Sequence, residues 1–155
     1  MIIVGVDPGK SGGYAVIIGG KLDHVRPFKG DISWCRNIYQ AFGVPFLDVH
    51  IFIEQVTSSP QMGVVSSFTF GRWAEAPITA AVCSGKPYHM VRPQVWQSAI
   101  GCFAQGDKKM LYEHAKRLYP VEYKQKMFIK DTADCVLIAH YGWKRTLVGR
   151  LELPS

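Results

Sequence analysis

The sequence contains no long apolar run. No such run reaches the roughly 18 residues of a membrane-spanning helix, so a transmembrane segment is not expected. Asp7 interrupts the apolar residues at the N-terminus, and no basic region precedes them, which argues against a signal peptide. These absences favour a protein that works inside the cell and away from the membrane.

The four cysteines lack any paired spacing. Without a Cys-x-x-Cys pair, zinc-binding and thioredoxin-type arrangements are excluded. Each cysteine lies among small or apolar residues, which predicts buried, reduced thiols at Cys35, Cys83, Cys102 and Cys135.

Several common catalytic motifs are missing as well. The chain has no Gly-x-Ser-x-Gly or Cys–His signature, and its five histidines show no metal-pair spacing. Gly9-Lys10-Ser11 could pass for part of a phosphate-binding loop. It lacks the earlier glycine of a P-loop, however, and the residues after it predict a strand rather than a helix. ATP binding is therefore a disfavoured alternative.

Low-complexity segments and internal repeats are also absent, and the apolar fraction of 48% is typical of a globular chain. The length predicts one domain spanning residues 1–155. Its charge is unevenly distributed. Six basic and six acidic residues precede Lys86, whereas twelve basic and six acidic residues occur from Lys86 onward. That basic half predicts a polyanionic partner, with a merely solvated basic surface as the alternative.

The hydrophobic pattern predicts strands and helices that together form an α/β domain with a mixed sheet. Strands are predicted at residues 2–6, 13–18, 22–28, 50–54 and 86–91, the first three as an antiparallel meander. Helices are predicted at residues 32–42, 61–84, 93–101, 107–119 and 131–147, with a mobile basic loop at residues 121–130. We expect the helix at 61–84 to be mostly buried, in the core or against a second subunit, and to bend or break at Gly71 and Pro77.

Two of the buried strands end in a single acid, Asp7 in the first and Glu54 in the fourth. A carboxylate at the tip of a buried strand is costly unless something pairs with it. As parallel neighbours, these strands would bring Asp7 and Glu54 together at the carboxyl edge of the sheet, where open sheets place their ligand sites.

Asp131 and Asp134 form a second acidic pair, three residues apart on the first turn of the last predicted helix. Helix capping and a favourable dipole position are the structural alternatives. If all four acids converge, repulsion leaves them strained or partly protonated in the absence of metal. Oxygen-only ligands select Mg²⁺ or Mn²⁺, and two such ions suit phosphodiester hydrolysis. His140 could approach these acids, but a packed, hydrogen-bonded histidine is favoured.

The order of these residues resembles the RuvC-type Holliday junction resolvases of the RNase H-like superfamily. The resemblance runs from about residue 2 to residue 141 and is carried by Val4-Gly5-Val6-Asp7-Pro8-Gly9, Ile53-Glu54-Gln55-Val56, Val91-Arg92-Pro93-Gln94-Val95, Asp107-Lys108 and Lys130-Asp131-Thr132-Ala133-Asp134-Cys135.

That resemblance implies an RNase H-like mixed five-stranded sheet flanked by helices, and a homodimer that resolves four-way DNA junctions by paired nicks. The helix at 61–84 matches the dimer helix. Two Mg²⁺ ions, with Mn²⁺ as a substitute, would be held by Asp7, Glu54, Asp131 and Asp134, and Lys108 would contact the scissile phosphate region. Further DNA contacts are expected from Arg92, Lys109, Lys124, Lys126 and Lys130. The expected location is the cytoplasm: the bacterial nucleoid, or the host cytoplasm for a phage-encoded form.

The chain departs from the family at two positions. Thr57 replaces an aromatic residue that stacks on DNA, and a second family lysine falls near Trp96. Phe68, Phe70 or Trp73 could supply the stacking, although core packing is the favoured role for each. Three rival functions remain: a flap or RNA–DNA hybrid nuclease of the same fold, a non-catalytic junction-binding protein, and a disfavoured sugar-kinase-like ATP-binding protein.

Overall fold

Five strands form one mixed sheet at the centre of the computed structural model, which describes residues 1–28, 36, 48–104 and 106–151. The strands are β1 (Ile2–Asp7), β2 (Gly13–Ile18), β3 (Lys21–Pro27), β4 (Val49–Glu54) and β5 (Tyr88–Val91). Their order across the sheet is β3-β2-β1-β4-β5. The predicted mixed sheet and antiparallel meander are confirmed.

The central strand β1 pairs antiparallel with β2 and parallel with β4. Val6 is opposite Ile53 in the parallel pair, so the next residues, Asp7 and Glu54, end neighbouring strands at the same edge. This arrangement confirms the predicted parallel pairing. Strand β5 continues the parallel part of the sheet, with Glu54 opposite Val91.

Four α-helices are present in the described part of the chain, with two short 3₁₀ turns at Glu122–Lys124 and Lys130–Thr132. The helices are α1 (Val64–Cys83), α2 (Pro93–Ala99), α3 (Lys108–Leu118) and α4 (Ala133–Leu151). None of these helices is long and apolar enough to cross a membrane. The helix predicted at residues 32–42 lies outside the described residues, apart from Arg36.

Both faces of β1 are buried, which explains its continuous apolar sequence. On one face, Ile3 belongs to a core that includes α3 and α4, whereas Val4 and Val6 belong to the opposite core with Trp73 of α1. Gly5 lets α4 lie directly on the sheet, because a Cβ at this position would be 2.2 Å from the backbone nitrogen of Ala139. A larger residue would therefore push away the helix that carries Asp134.

The prediction that the helix at 61–84 is mostly buried is wrong for the single chain. Only the part of the helix from Trp73 onward packs on the sheet, through Trp73, Ala80 and Ala81, and Pro77 is buried as well. In the N-terminal half, Val64, Val65 and Phe68 are 87%, 80% and 72% exposed. Neither Gly71 nor Pro77 interrupts the helix.

Smaller corrections concern segment ends and the basic segment. Strand β5 begins at Tyr88 rather than residue 86, and α4 extends to Leu151. The segment at 121–130 is more than a loop, because it includes 3₁₀ turns and buries Phe128 in the core. Its mobility stays a prediction.

The cysteine prediction is partly wrong. Cys102 and Cys135 are buried free thiols, whereas Cys83 is exposed at the last residue of α1. This end of the helix extends beyond the residues that pack on the sheet. Cys35 lies outside the described residues.

Candidate active site

The structure places four carboxylates, each from a different element, at the carboxyl edge of the sheet. Asp7 ends β1, Glu54 ends β4, and Asp134 lies in the first turn of α4. Asp131 lies just before that helix in the second 3₁₀ turn, not in the helix as predicted. Asp134 is only 6% exposed and Asp131 is exposed, whereas Asp7 and Glu54 are intermediate.

The start of α4 is fixed by the hydroxyl of Thr132, which is fully buried. This hydroxyl accepts a hydrogen bond from the Ile129 backbone nitrogen at 3.0 Å and is 2.9 Å from the carbonyl oxygen of Met127. Within the described residues, the Asp131 side chain makes no capping hydrogen bond. The capping explanation for Asp131 therefore has no support here, and its carboxylate is available to a ligand.

Trp96 is a site residue whose role the sequence did not suggest. Its indole nitrogen donates a hydrogen bond to Glu54 Oε1 at 2.9 Å, and its side chain is 1% exposed. An indole has one donor and no acceptor. Trp96 therefore holds the Glu54 carboxylate in place through a group that does not itself titrate. The only sign of this role in the sequence was that Trp96 lies near a position where the family that the chain resembles has a lysine.

Lys108 enters the acidic cluster from α3. The side chain of Asp107 caps this helix by accepting hydrogen bonds from the backbone nitrogens of Lys109 and Met110, which confirms the predicted cap. Capping places Lys108 at the first helical position, where its ammonium group contacts Asp134 Oδ2 in a hydrogen-bonded ion pair. In this arrangement Lys108 is the cation nearest to the buried acid.

The electrostatics of the cluster follow from burial and mutual repulsion. Burial, then the charges of Glu54 and Asp134, raise the pKa of Asp7 from 3.8 to about 8. Burial also raises the pKa values of Glu54 and Asp134, although Trp96 and Lys108 respectively oppose this effect. For Lys108, burial lowers the pKa, but Asp134, Asp7 and Glu54 outweigh it and the net pKa is raised. The predicted partial protonation of the cluster is supported for Asp7.

The donors fit a hard divalent cation by their chemistry. All four are carboxylates, and Asp134 Oδ1 is buried without a hydrogen-bond partner among the described residues. The arrangement of these carboxylates fits a metal ion less completely than their chemistry does. In the part of the chain that the structure describes, no three His, Cys, Asp or Glu side chains form a group that could hold one ion. The ammonium group of Lys108 already contacts one oxygen of Asp134, the carboxylate whose side chain is least exposed.

The other predicted contact residues come from three different parts of the chain. Arg92 directly follows β5, and Lys109 directly follows Lys108 on α3. Three more lysines belong to the segment between α3 and α4, and all five side chains are exposed: Arg92, Lys109, Lys124, Lys126 and Lys130. His140 is packed as favoured, with Nδ1 2.9 Å from the Tyr119 hydroxyl, and burial lowers its pKa to about 4.

The aromatic alternatives for DNA stacking separate into three cases. Trp73 is buried and its ring lies 6.2 Å from that of Phe28, which confirms core packing. Phe68 is exposed, so core packing is wrong for it. Phe70 is partly exposed and lines a cavity with Gln55 and Arg92.

Comparison with solved structures identifies the architecture. A Thermus thermophilus RuvC structure in complex with a Holliday junction substrate superimposes with a TM-score of 0.69 and 16% sequence identity, covering 96% of this chain and 97% of that one. The chain has the RuvC fold. A second T. thermophilus RuvC structure superimposes on this RuvC fold with a TM-score of 0.66, 17% identity and the same coverage. No family model and no curated protein matches the sequence.

Proposed function

We propose that this chain is a metal-dependent endonuclease that resolves four-way DNA junctions by paired nicks. The observation that carries the proposal is the set of four carboxylates at one sheet edge of a RuvC fold, with Lys108 among them. A protein that only bound DNA would gain more from neutral or basic residues at this edge, because acids repel phosphates.

Asp7, Glu54, Asp131 and Asp134 would hold two Mg²⁺ ions, with Mn²⁺ as a substitute. When bound, such an ion pair activates the attacking water and stabilises the departing oxygen. Trp96 orients Glu54. Burial raises the pKa of Asp134, and the nearby ammonium group of Lys108 opposes this effect. Lys108, which pairs with Asp134 in this structure, would contact the phosphate region of the substrate.

A second copy of the chain would complete the enzyme. Val64, Val65 and Phe68 form a mostly exposed apolar surface on α1, which we call the α1 face. Contiguous exposed apolar side chains mark interaction sites. Two copies joined through the α1 face would present two active sites to opposing strands of one junction. The expected cytoplasmic location stays a prediction.

The test incubates purified protein with four-way, flap, RNA–DNA hybrid and linear substrates, with and without Mg²⁺. We expect symmetric nicks on the four-way junction alone, and only with metal. The Asp7→Asn variant should bind the junction but cut it at least 100-fold more slowly, on the order of the loss expected for a group that stabilises the transition state.

Each alternative has its own outcome in this test. Cleavage of flaps or hybrids at equal rates would favour the broader nuclease of the same fold. Tight junction binding without cleavage by the unmodified protein, at any metal concentration, would favour the non-catalytic binding protein. Substantial cleavage by Asp7→Asn would contradict the role assigned to Asp7.

A further inference from the structure

A groove of about 330 Å³ lies between α2 and α4, and we call it the α2–α4 groove. Its lining comes from α2, the residue after that helix, and the second half of α4: Val95, Ala99, Ile100, Tyr141, Lys144, Arg145 and Val148. Lys144 is ten residues after Asp134 on α4, or about 15 Å along the helix axis at 1.5 Å per residue. The groove is therefore separate from the acidic cluster.

The groove exposes apolar side chains from both helices. Val95 and Val148 are 49% and 50% exposed and line the same cavity. Ala99 is exposed and Ile100 is half-buried beside them. A single exposed valine would need no explanation, but four apolar side chains that line one concave surface are typical of a site where another molecule inserts its own apolar groups.

Two cations belong to the same lining. Lys144 and Arg145 are both exposed. Within the described residues, neither forms an ion pair and no acidic side chain lines the groove. The remaining polar residue is Tyr141, whose ring lies edge-on to that of Phe52 with centroids 6.0 Å apart. An occupant of the groove therefore meets two uncompensated positive charges next to an apolar surface.

The neighbouring side chains add to the positive charge. Burial, then the charges of Lys144 and His114, lower the pKa of His140 to about 4. Burial, then the charge of Arg117, lowers the pKa of His114, and a hydrogen bond with the backbone of Ile100 opposes this effect. No carboxylate is among the groups that shift either pKa. The positive potential thus extends from α4 to α3 beside the groove.

DNA and a second copy of the chain fit this surface less well than an acidic protein segment does. A DNA backbone would use the two cations but leave the apolar side chains without a counterpart, because phosphates are contacted by basic and polar groups. A second copy would bring its own excess of basic residues, 18 Lys and Arg against 12 Asp and Glu, toward the same cations. A segment with apolar and acidic side chains complements both parts of the surface.

We propose that the α2–α4 groove binds an acidic amphipathic helix of another protein. Apolar side chains of that helix fill the space beside Val95 and Val148, and its carboxylates pair with Lys144 and Arg145. Amphipathic helices bind hydrophobic grooves through apolar side chains three and four positions apart. The inference goes beyond the proposed nuclease function and does not depend on it.

The test uses a fluorescent synthetic helix in which leucines recur at every third or fourth position and glutamates occupy the other positions. Two control peptides have glutamine or lysine in place of every glutamate. Binding to the full chain is measured by fluorescence anisotropy. We expect the glutamate peptide to bind roughly ten-fold tighter than the glutamine peptide, and the lysine peptide to bind more weakly than either.

Variants test the two parts of the groove separately. Lys144→Glu combined with Arg145→Glu should reverse the preference, so that the lysine peptide binds tighter than the glutamate peptide. Val95→Ser combined with Val148→Ser should weaken binding of the glutamate peptide by roughly ten-fold but keep its advantage over the glutamine peptide. The matched control, Lys21→Glu with Arg26→Glu on β3, should bind like the unmodified protein. Thermal melting of each variant verifies its folding.

Several outcomes would overturn the proposal. Failure of all three peptides to bind, equal binding of the three, or binding that the groove variants leave unchanged would each do so. Four-way junctions could instead bind the Asp7→Asn protein more weakly with Lys144→Gln and Arg145→Gln than with Lys21→Gln and Arg26→Gln. That result, without peptide binding, would assign the cations to DNA.

A change of oligomeric state on Val95→Ser with Val148→Ser, measured by sedimentation velocity, would assign the groove to a second copy. A protein that cuts no junction but binds the glutamate peptide at this groove would overturn the nuclease proposal and leave this one in place.

Discussion

Trp96 combines core packing with a role in the site. It is fully buried, and yet its indole nitrogen ends on Glu54 Oε1. A hydrogen bond to a charged group is worth about 1.5–3 kcal/mol, so the pair should be energetically coupled. We expect a double-mutant cycle of Trp96→Phe and Glu54→Gln, measured by unfolding without metal, to give a coupling energy of about 1 kcal/mol.

The same variant should also affect metal binding. Trp96→Phe frees the Glu54 carboxylate to rotate, so we expect weaker Mn²⁺ binding by titration calorimetry as well as slower cleavage. Additive stability effects with unchanged metal affinity would leave Trp96 as a packing residue only.

The raised pKa of Asp7 makes stability depend on pH. Because the folded pKa of about 8 exceeds the unfolded value of 3.8, the folded state binds this proton more tightly. The free energy of unfolding without metal should therefore fall as pH rises from about 4 to about 8. Asp7→Asn should remove much of this slope and stabilise the protein at pH 8 by roughly 2 kcal/mol, measured by denaturant unfolding.

The control for that prediction is Glu75→Gln, which changes an exposed carboxylate on α1. It should leave the pH slope intact. A clear loss of stability in Asp7→Asn at pH 8 would instead indicate that Asp7 pairs with a structural partner.

If Asp134 holds a metal ion as proposed, Lys108 competes with that ion for its carboxylate. Removing it in Lys108→Ala leaves a buried carboxylate without its cation, so the metal-free protein should melt at a lower temperature. The same change removes the ammonium group from the proposed metal site, so the rise in melting temperature on adding Mn²⁺ should exceed that of the unmodified protein. Lys109→Ala, which lacks this contact, should change neither quantity. A smaller rise in Lys108→Ala would show that the lysine does not compete with the ion.

At the scale of elements, α1 has two different halves. Its second half packs on the sheet, and its first half carries the exposed α1 face. If two copies join there, Phe68→Asp should convert the dimer to a monomer in sedimentation velocity while leaving the melting temperature of the monomer unchanged. Thr69→Asp, on an exposed neighbouring position of the helix, is the matched control and should remain dimeric. A monomeric unmodified protein would exclude the dimer.

The spacing of apolar residues predicted the helices and strands wherever a segment follows a single repeat pattern. The runs ending at Asp7 and Glu54 are apolar at successive positions because both faces of β1 and β4 are covered, and this pattern identified them as neighbours. Asp107 identified the start of α3, because a capping side chain acts locally.

Other features depend on contacts between residues far apart in sequence. The apolar composition of α1 predicts burial, but only the packed structure shows which half meets the sheet. The Trp96–Glu54 bond joins residues from different elements, and the Lys108–Asp134 pair joins α3 to α4. Neither follows from spacing. The four acids themselves were predicted as a set because each ends or begins an element.

For the whole molecule, the uneven charge predicts how DNA binding responds to salt. Lys124 and Lys126 are exposed in the segment before Asp131. Each phosphate contact contributes about 0.9 to the slope of log K against log salt concentration. Changing both lysines to glutamine should reduce the magnitude of the slope by about 1–2 in junction-binding titrations with Asp7→Asn. The same change at Lys21 and Arg26 should leave it unaltered, and an equal effect in both would indicate an unspecific charge contribution.

The contact between Gly5 and Ala139 has a consequence for biosynthesis. Asp7 belongs to β1, the first of the described elements, whereas Asp134 belongs to α4, which follows every other described element. The site therefore cannot assemble until α4 has docked on β1 beside Gly5. A chain cut before α4 would lack Asp134, so the complete cluster of four acids would form only after this helix had been synthesised.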